Sequence, residues 1–179
     1  MKNFSKPELK AIGIILGILA VVSFFNFRIS LRRARDAQRM SDIGQIADNL
    51  NVYKERVGSF PVSQNGKLLA CLGSDTTIDL KTGAYVNLLA CNWDSESLIG
   101  KLPIDPNSDA GWAYLYISDG WTYQIYANLE GKDEPDYKQV IIKRNLNCGT
   151  KICNAGKAYS RTPLDKSIEE YENELKAKQ

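Results

Sequence analysis

The residues best suited to chemistry are carboxylates in a proline-containing loop, Asp105 and Asp109, with Asp119 further along the chain. The chain contains no histidine, so acid–base catalysis would have to use carboxylate, lysine, tyrosine or cysteine side chains. It also carries no GxSxG, P-loop or GxGxxG pattern. We interpret these aspartates as solvated turn residues, and we expect a protein that is not an enzyme and uses no cofactor.

Cation binding is a second chemistry open to the same loop. Asp105, Asn107 and Asp109 alternate as oxygen donors, as at the start of an EF-hand calcium loop. The pattern then fails, because Ala110 and Gly111 follow and the twelfth position holds a tyrosine where an EF-hand has glutamate. We predict no metal site of that class, and an isolated calcium site in the loop stays open.

Basic side chains form the third candidate, a run of five arginines directly after an apolar segment: Arg28, Arg32, Arg33, Arg35 and Arg39. Guanidinium groups on a helix can bind nucleic-acid or lipid phosphates. We interpret Arg28 and Arg32 as side chains that reach the membrane interface. Arg32 can also pair with Asp36 at i,i+4, and Arg39 with Asp42 at i,i+3. Nucleic acid is therefore not expected as a partner.

Four cysteines bear on the cellular compartment: Cys71, Cys91, Cys148 and Cys153. A zinc site is weakly supported, because the chain has neither a CxxC motif nor histidine. Of the three ways to form two disulfides, Cys71–Cys91 and Cys148–Cys153 is the simplest. Disulfides indicate an extracytoplasmic domain, whereas the arginine run, by the positive-inside rule, favours a cytoplasmic one. We give the cysteines the greater weight.

An uncharged segment at residues 11–27, AIGIILGILAVVSFFNF, precedes the arginines. Its 17 residues are about the minimum needed to cross a hydrocarbon core of roughly 30 Å. A cleaved signal peptide is the alternative, but phenylalanines followed by arginine are a poor cleavage context. The segment therefore predicts an uncleaved membrane helix.

One helix is predicted over residues 7–57, after a short leader-like N-terminus at 1–6. Ser5 can cap its first turn, Pro7 suits that turn, and Gly58 ends it. Its second half carries an apolar stripe at three- and four-residue steps, which predicts a face packed on a sheet. The stripe consists of Ala34, Ala37, Met40, Ile43, Ala47, Leu50, Tyr53 and Val57.

The remainder predicts a small globular domain over residues 58–161. Residues 113–117 and 122–129 alternate aromatic and polar side chains around an SDG turn, which predicts a β-hairpin. Residues 138–144, KQVIIKR, predict a third antiparallel strand. A C-terminal helix is predicted over 162–179, with Thr162 as its cap and Pro163 in its first turn. The expected fold class is α+β: a long helix, transmembrane in its first half and a stalk in its second, against a small antiparallel sheet.

Several of these stretches resemble the type IV pilin and pseudopilin family. FSKPEL at residues 4–9 and GILA at 17–20 resemble the start of the family's N-terminal helix. RRARDAQRMSDIGQIADNLNVYKERVGSFP resembles the second half of a pseudopilin stalk helix, and LPIDP with YLYISDGWTYQIYANLE resembles the first strands of the pseudopilin sheet. The likeness covers residues 4–61 and 102–142, about half of the chain.

The resemblance implies a filament subunit. Phe4 corresponds to the first mature, methylated residue of the family, although Asn3 stands where the family has glycine. Glu8 corresponds to a buried glutamate that pairs with a neighbour's N-terminal amine, a role that a neighbour's Lys6 or Lys10 could also fill. The other interpretation of Glu8 is an interfacial charge at the membrane edge. The implied partners are copies of the chain, other pilin-like subunits, membrane lipid and the pilus assembly machinery.

The implied location is the cytoplasmic membrane, crossed once with the N-terminus inside, and then the cell surface in a filament. A different class of function also fits the sequence, namely a membrane-anchored extracytoplasmic binding module that stays monomeric. Trp93, Trp112 and Trp121 could then offer stacking surfaces for a ligand, although tryptophans in a small sheet more often fill its core or edge.

Overall fold

The computed structural model of the 179-residue chain describes residues 6–80 and 85–178. Phe4 and the predicted cap Ser5 lie outside the described residues. The predicted α+β fold class is confirmed: a long N-terminal helix, small antiparallel sheets and a short C-terminal helix. The first helix, α1, is Lys6–Val57, and its 52 residues give a rod of about 78 Å at 1.5 Å per residue.

The first half of α1 is exposed to the surroundings along its whole length. An 18-residue window near the N-terminus has a mean hydropathy of 2.2, and none of it is buried. By length and composition this segment can cross a membrane. A soluble helix would hide such side chains against a core, so the fold itself leaves them for another environment to cover.

The second half of α1 packs one face on the main sheet. Ile43, Ala47, Leu50 and Tyr53 are buried there, as the apolar stripe predicts. The stripe is wrong at its two ends, where Ala34, Ala37 and Val57 are exposed. Towards the membrane segment the buried positions are instead charged, and they are Asp36, Arg39 and Asp42. The helix therefore contacts the domain through apolar side chains after residue 42 and through charged side chains before it.

Short strands make up the globular part. In chain order they are β1 (Ser63–Gln64), β2 (Lys67–Cys71), β3 (Thr77–Ile78), β4 (Tyr85–Val86), β5 (Leu89–Ala90), β6 (Glu96–Ser97), β7 (Gly100–Lys101), β8 (Leu115–Ser118), β9 (Tyr123–Ala127), β10 (Asn147–Cys148), β11 (Lys151–Ile152) and β12 (Ala155–Ala158). The main sheet has the order β12–β9–β8, and a second sheet has the order β1–β2–β5. The other strands form two-stranded hairpins, and all pairs are antiparallel. Strands β9 and β12 contact α1.

The main sheet contains the predicted hairpin but a different third strand. Strands β8 and β9 pair with Leu115 opposite Tyr126. The predicted strand at 138–144 is wrong: Gln139–Ile142 is a single helical turn, α2, and β12 takes the place beside β9. Strand β12 can lie beside β9 because it contains small residues. Gly156 is so close to β9 that a Cβ at this position would be 2.6 Å from the Ile125 carbonyl oxygen.

Both predicted disulfides are present. Cys71–Cys91 ties the end of β2 to the residue after β5, and Cys148–Cys153 closes the β10–β11 hairpin. The second pair lies in a small core with Tyr126. The cross-links therefore brace segments whose two-residue strands make few hydrogen bonds of their own.

The C-terminal helix, α3, is Ile168–Lys176 and begins later than predicted. Its cap is Ser167, which forms a capping box with Glu170, so the prediction of Thr162 as cap is wrong. Residues 162–166 instead form a loop held on the main sheet, where the Gln124 side-chain amide donates hydrogen bonds to the Pro163 and Lys166 carbonyl groups. These hydrogen bonds hold residues 162–166 as a loop, where the sequence predicted the first helical turn.

We expect Gly156→Ala to destabilise the globular part by about 1–3 kcal/mol, because the new methyl group overlaps backbone atoms of β9 that cannot move aside. Near-UV circular dichroism of the detergent-solubilised full chain during denaturation measures the change. Gly13→Ala is the matched control, since a Cβ there meets nothing within 4 Å. Equal unfolding midpoints for the two variants would contradict the packing described for β12.

Candidate functional site

Two neighbouring parts of the molecule form the candidate site. They are the arginine segment of α1 (residues 28–39) and the acidic loop that follows β9 (residues 130–134, EGKDE). Arg35 forms a bidentate pair with Glu130, with both N–O distances 2.7 Å. Arg32 and Arg33 both bind Asp133. The domain thus neutralises most of the arginine charge with residues about 100 positions away.

Arg39 is the centre of this contact and is fully buried. Its Nε and Nη2 atoms bind the two carboxylate oxygens of Asp105 at 2.9 and 3.1 Å. Its Nη1 atom binds Asp36 at 2.8 Å and Glu130 at 3.0 Å. The guanidinium also lies over the face of Trp112, 4.5 Å from the ring centre. One side chain of α1 is therefore held by three separate segments of the chain.

The predicted pairs within the helix are wrong. Arg32 binds Asp133 rather than Asp36, and Asp36 accepts the backbone N–H groups of Glu130 and Gly131 at 2.9 Å each. Local i,i+4 pairs on an exposed helix contribute only a few tenths of a kcal/mol, so buried long-range partners displace them.

Asp42 is the other predicted local partner, and its carboxylate also binds a residue outside the helix. It accepts a 2.5 Å hydrogen bond from the Tyr114 hydroxyl instead of pairing with Arg39. The hydroxyl is buried among core residues, so this bond satisfies a donor that would otherwise lack a partner.

The interpretation of Asp105 as a solvated turn residue is also wrong, because only 2% of the residue is exposed. Its Oδ1 atom accepts the Asn107 backbone N–H as well as Arg39. A cation at this loop would have to displace the guanidinium. Within residues 6–80 and 85–178, no group of three or more acidic, cysteine or histidine side chains is arranged to hold a metal ion.

Ion pairing sets the protonation of the site. Hydrogen bonds from Arg35 and Arg39 lower the pKa of Glu130 to about 2, against the cost of burial. The hydrogen bond from Arg32 likewise lowers the pKa of Asp133 to about 2. Burial opposes the charge of Arg39, but its carboxylate partners outweigh that effect and raise its pKa. All these groups are therefore charged at neutral pH.

Asp42 behaves in the opposite way. Burial raises the pKa of its carboxyl group above the ordinary value, and the hydrogen bond from Tyr114 offsets only part of that rise. The carboxyl group faces both Arg39 and Asp105, whose opposite charges act on it in opposite directions. Asp42 is thus a buried charge whose neutral form the fold favours.

The predicted assembly residues lie at the start of α1. Lys6, Glu8 and Lys10 are exposed and lie within little more than one helical turn, and Phe4 lies outside the described residues. The acidic loop was not among the residues predicted to form a site. The sequence does contain an indication of this loop. EGKDE follows the predicted hairpin directly and carries three acidic groups, opposite in sign to the arginine segment.

The tryptophans separate into packed and exposed residues. Trp93 packs edge-on against Tyr114, with ring centres 5.4 Å apart. Trp112 lies between Arg39 and Lys151. Trp121, in the turn of the main hairpin, is 73% exposed and is the one tryptophan placed to meet a ligand.

Comparison with protein-family models, curated proteins and solved structures finds no match to this chain. The features that bear on function are therefore those of the chain itself: an apolar helical segment, a buried ionic contact in the second half of the same helix, and a disulfide-braced domain.

Arg39→Ala should destabilise the globular part by about 3–5 kcal/mol, because it leaves Asp36, Asp105 and Glu130 without their shared cation. Arg33→Ala is the control, since that side chain is 62% exposed and its loss should cost about 1 kcal/mol or less. Denaturant unfolding of the full chain in detergent measures both. Similar costs for the two variants would show that the Arg39 contact does not hold the helix to the sheet.

Glu130 and Asp42 should affect the pH dependence of stability in opposite directions. The stability from Glu130 is present above its ordinary pKa of 4.5 and is lost as the pH falls towards about 2, so Glu130→Gln should flatten the acid limb. The stability from Asp42 is present below its ordinary pKa of 3.8 and is lost as the pH rises through the raised value. Asp42→Asn retains an acceptor for Tyr114 and should unfold at an equal or higher temperature than the wild type at pH 7.

Thermal unfolding between about pH 2 and 8 measures both variants. The gain of Asp42→Asn should shrink as the pH falls towards 3.8, where the wild-type carboxyl group also becomes neutral. A lower midpoint for Asp42→Asn at every pH would contradict the assignment of Asp42 as an unfavourable buried charge.

Proposed function

We propose that the chain is a structural subunit of a type IV pilus-like surface filament and that it assembles through its apolar N-terminal helix. The observation that supports this is the continuity of α1, whose first half is exposed and apolar while its second half is locked to a folded domain. Exposure of apolar surface to water costs about 25 cal/mol per Å². The first half therefore needs lipid or protein neighbours at every stage.

Before assembly, residues 11–27 lie in the cytoplasmic membrane with the N-terminus inside, and residues 58–161 form the extracytoplasmic domain. The two disulfides favour this orientation, because such bonds persist in oxidising compartments. The arginine segment argues for the reverse orientation by charge count. In the folded protein, however, Glu130 pairs with Arg35 and with the buried Arg39, which reduces the field that the membrane surface meets.

In the filament, the apolar helices exchange lipid for one another. The hydrophobic effect favours that exchange only weakly, because lipid tails are themselves apolar, so close packing has to contribute. Gly13, Gly17 and Ala20 recur at four- and three-residue spacing, and no atom lies within 4 Å of a Cβ built at either glycine. Small residues at this spacing let two helix backbones approach closely.

Glu8 supplies the polar component of assembly. A carboxylate in a bundle of apolar helices is costly unless it is paired. The resemblance assigns the partner to a neighbour's N-terminal amine, and Lys6 or Lys10 of a neighbour, each two positions from Glu8 in the sequence, offers the same charge. In this proposal, Glu8 sets the axial register of one copy against the next.

A monomeric, membrane-anchored binding module is the second candidate, and exposed apolar side chains in the domain favour it. Trp121 is one of them. Others lie in the segment bounded by the Cys71–Cys91 disulfide, and they are Leu72, Ile78, Leu80, Tyr85, Val86 and Leu89. A surface of this kind can serve as a ligand contact or as a contact between subunits.

Glu8→Ala should abolish filaments while leaving the domain folded, since Glu8 lies far along α1 from the core. The measurement is the amount of the chain in sheared surface material that sediments as filaments, seen by electron microscopy. Glu55→Ala, the same change at an exposed position of the same helix, is the control and should leave the yield unchanged. Normal filament yield from Glu8→Ala would refute the role of Glu8, and recovery of the wild type only with membranes would favour the monomeric module.

A further inference from the structure

Arg32 and Arg33 already share two carboxylates: Asp133 at hydrogen-bond distance, and Glu134, whose Oε1 atom lies 3.6 Å from Arg32 Nη2 and 3.8 Å from Arg33 Nε. The Asp133 carboxylate accepts from Arg32 Nη2 at 2.7 and 2.8 Å and from Arg33 Nη2 at 3.3 Å. Two guanidinium groups that converge on one oxyanion are the arrangement in which proteins bind phosphate. The Arg32 Nε atom is buried and has no hydrogen-bond partner within the described part of the chain, so the fold does not fully satisfy this guanidinium group.

The depth of these arginines matches the headgroup layer of a membrane. Crossing a hydrocarbon core takes about 20 residues, so a span that begins at Ala11 ends near Ser30. The headgroup layer adds about 5–7 Å, or three to five helical residues. Arg32 and Arg33 fall inside that layer, and Arg28, one turn below Arg32, can extend up to it.

The present occupant is easily replaced. The side chains of Arg33 and Asp133 are 62% and 51% exposed. Exposed ion pairs of this kind are weak, because solvent and salt screen the two charges. Arg28 contacts only the Phe24 ring, 4.9 Å away, and makes no ion pair within the described residues. A phosphate that is held close to the helix at high local concentration can therefore compete with Asp133.

We infer that Arg28, Arg32 and Arg33 bind the phosphate of an anionic phospholipid headgroup while the chain is in the membrane, and that Asp133 is the intramolecular competitor for that site. This inference rests on the membrane-anchored state in the proposed function and not on the filament. Where no lipid phosphate is bound, Asp133 is the counter-charge of Arg32 and Arg33, as in the contacts described above.

The test uses the full chain in vesicles of phosphatidylcholine mixed with phosphatidylglycerol. Native mass spectrometry gives the ratio of the two lipids that stay bound to the protein. Arg33→Gln should lower the retained share of phosphatidylglycerol by up to roughly fivefold, and Asp133→Asn should raise it by up to the same factor. Arg56→Gln, an equal loss of charge at an exposed position beyond the membrane, is the control and should change nothing.

Opposite shifts for Arg33→Gln and Asp133→Asn support the inference when Arg56→Gln changes nothing, because a change of net charge alone would act from either position. The inference is overturned if the chain inserts but Arg33→Gln retains as much phosphatidylglycerol as Arg56→Gln, or if Asp133→Asn lowers retention. Resistance to alkaline extraction, measured on the same vesicles, reports insertion separately. A chain that fails to insert contradicts the anchored state itself and thereby the proposed function.

Discussion

The buried guanidinium of Arg39 is the interaction on which the relation between helix and sheet depends. An apolar face alone would allow α1 to slide or rotate over the sheet at small cost, because apolar contacts have no direction. Asp105 and Glu130 come from loops on the two sides of the main hairpin, and both meet the same side chain of α1. The guanidinium can satisfy these carboxylates in one position only, so a contact that adds little net stability can fix the register.

This ionic contact also explains why the basic run does not behave as its composition suggests. The number of arginines beside an apolar segment indicates that this side of the segment is cytoplasmic. That number does not show which arginines are paired with carboxylates. The partners lie in the loop that follows the hairpin, 101 and 95 positions later in the chain than Arg32 and Arg35. Charge patterning in a sequence therefore describes the unfolded chain during insertion more directly than the folded protein, whose local field is close to neutral around Glu130 and Asp133.

The sequence predicted those features that depend on local pattern. The limits of α1, the hairpin and the disulfide pairs follow from punctuation by glycine and proline, from alternation, and from cysteine spacing. Prediction failed where a tertiary partner decided the outcome. Residues 138–144 have a strand-forming composition, but Gly156 allows β12 to approach β9 more closely than they could. Asp105 has the sequence context of a turn, yet it is buried because Arg39, 66 positions earlier, holds both of its oxygens.

The two halves of α1 obtain their stability from different sources, and this separation is what makes the helix suitable for a change of surroundings. The second half is held by the sheet, Arg39 and the packing of Ile43 and Leu50, none of which involves the apolar segment. The first half gains nothing from the fold and takes its stability from whatever surrounds it. The proposed exchange of lipid for neighbouring helices would therefore leave the domain undisturbed, because the ionic contact at residues 36–39 separates the apolar segment from the part of α1 that is held by the sheet.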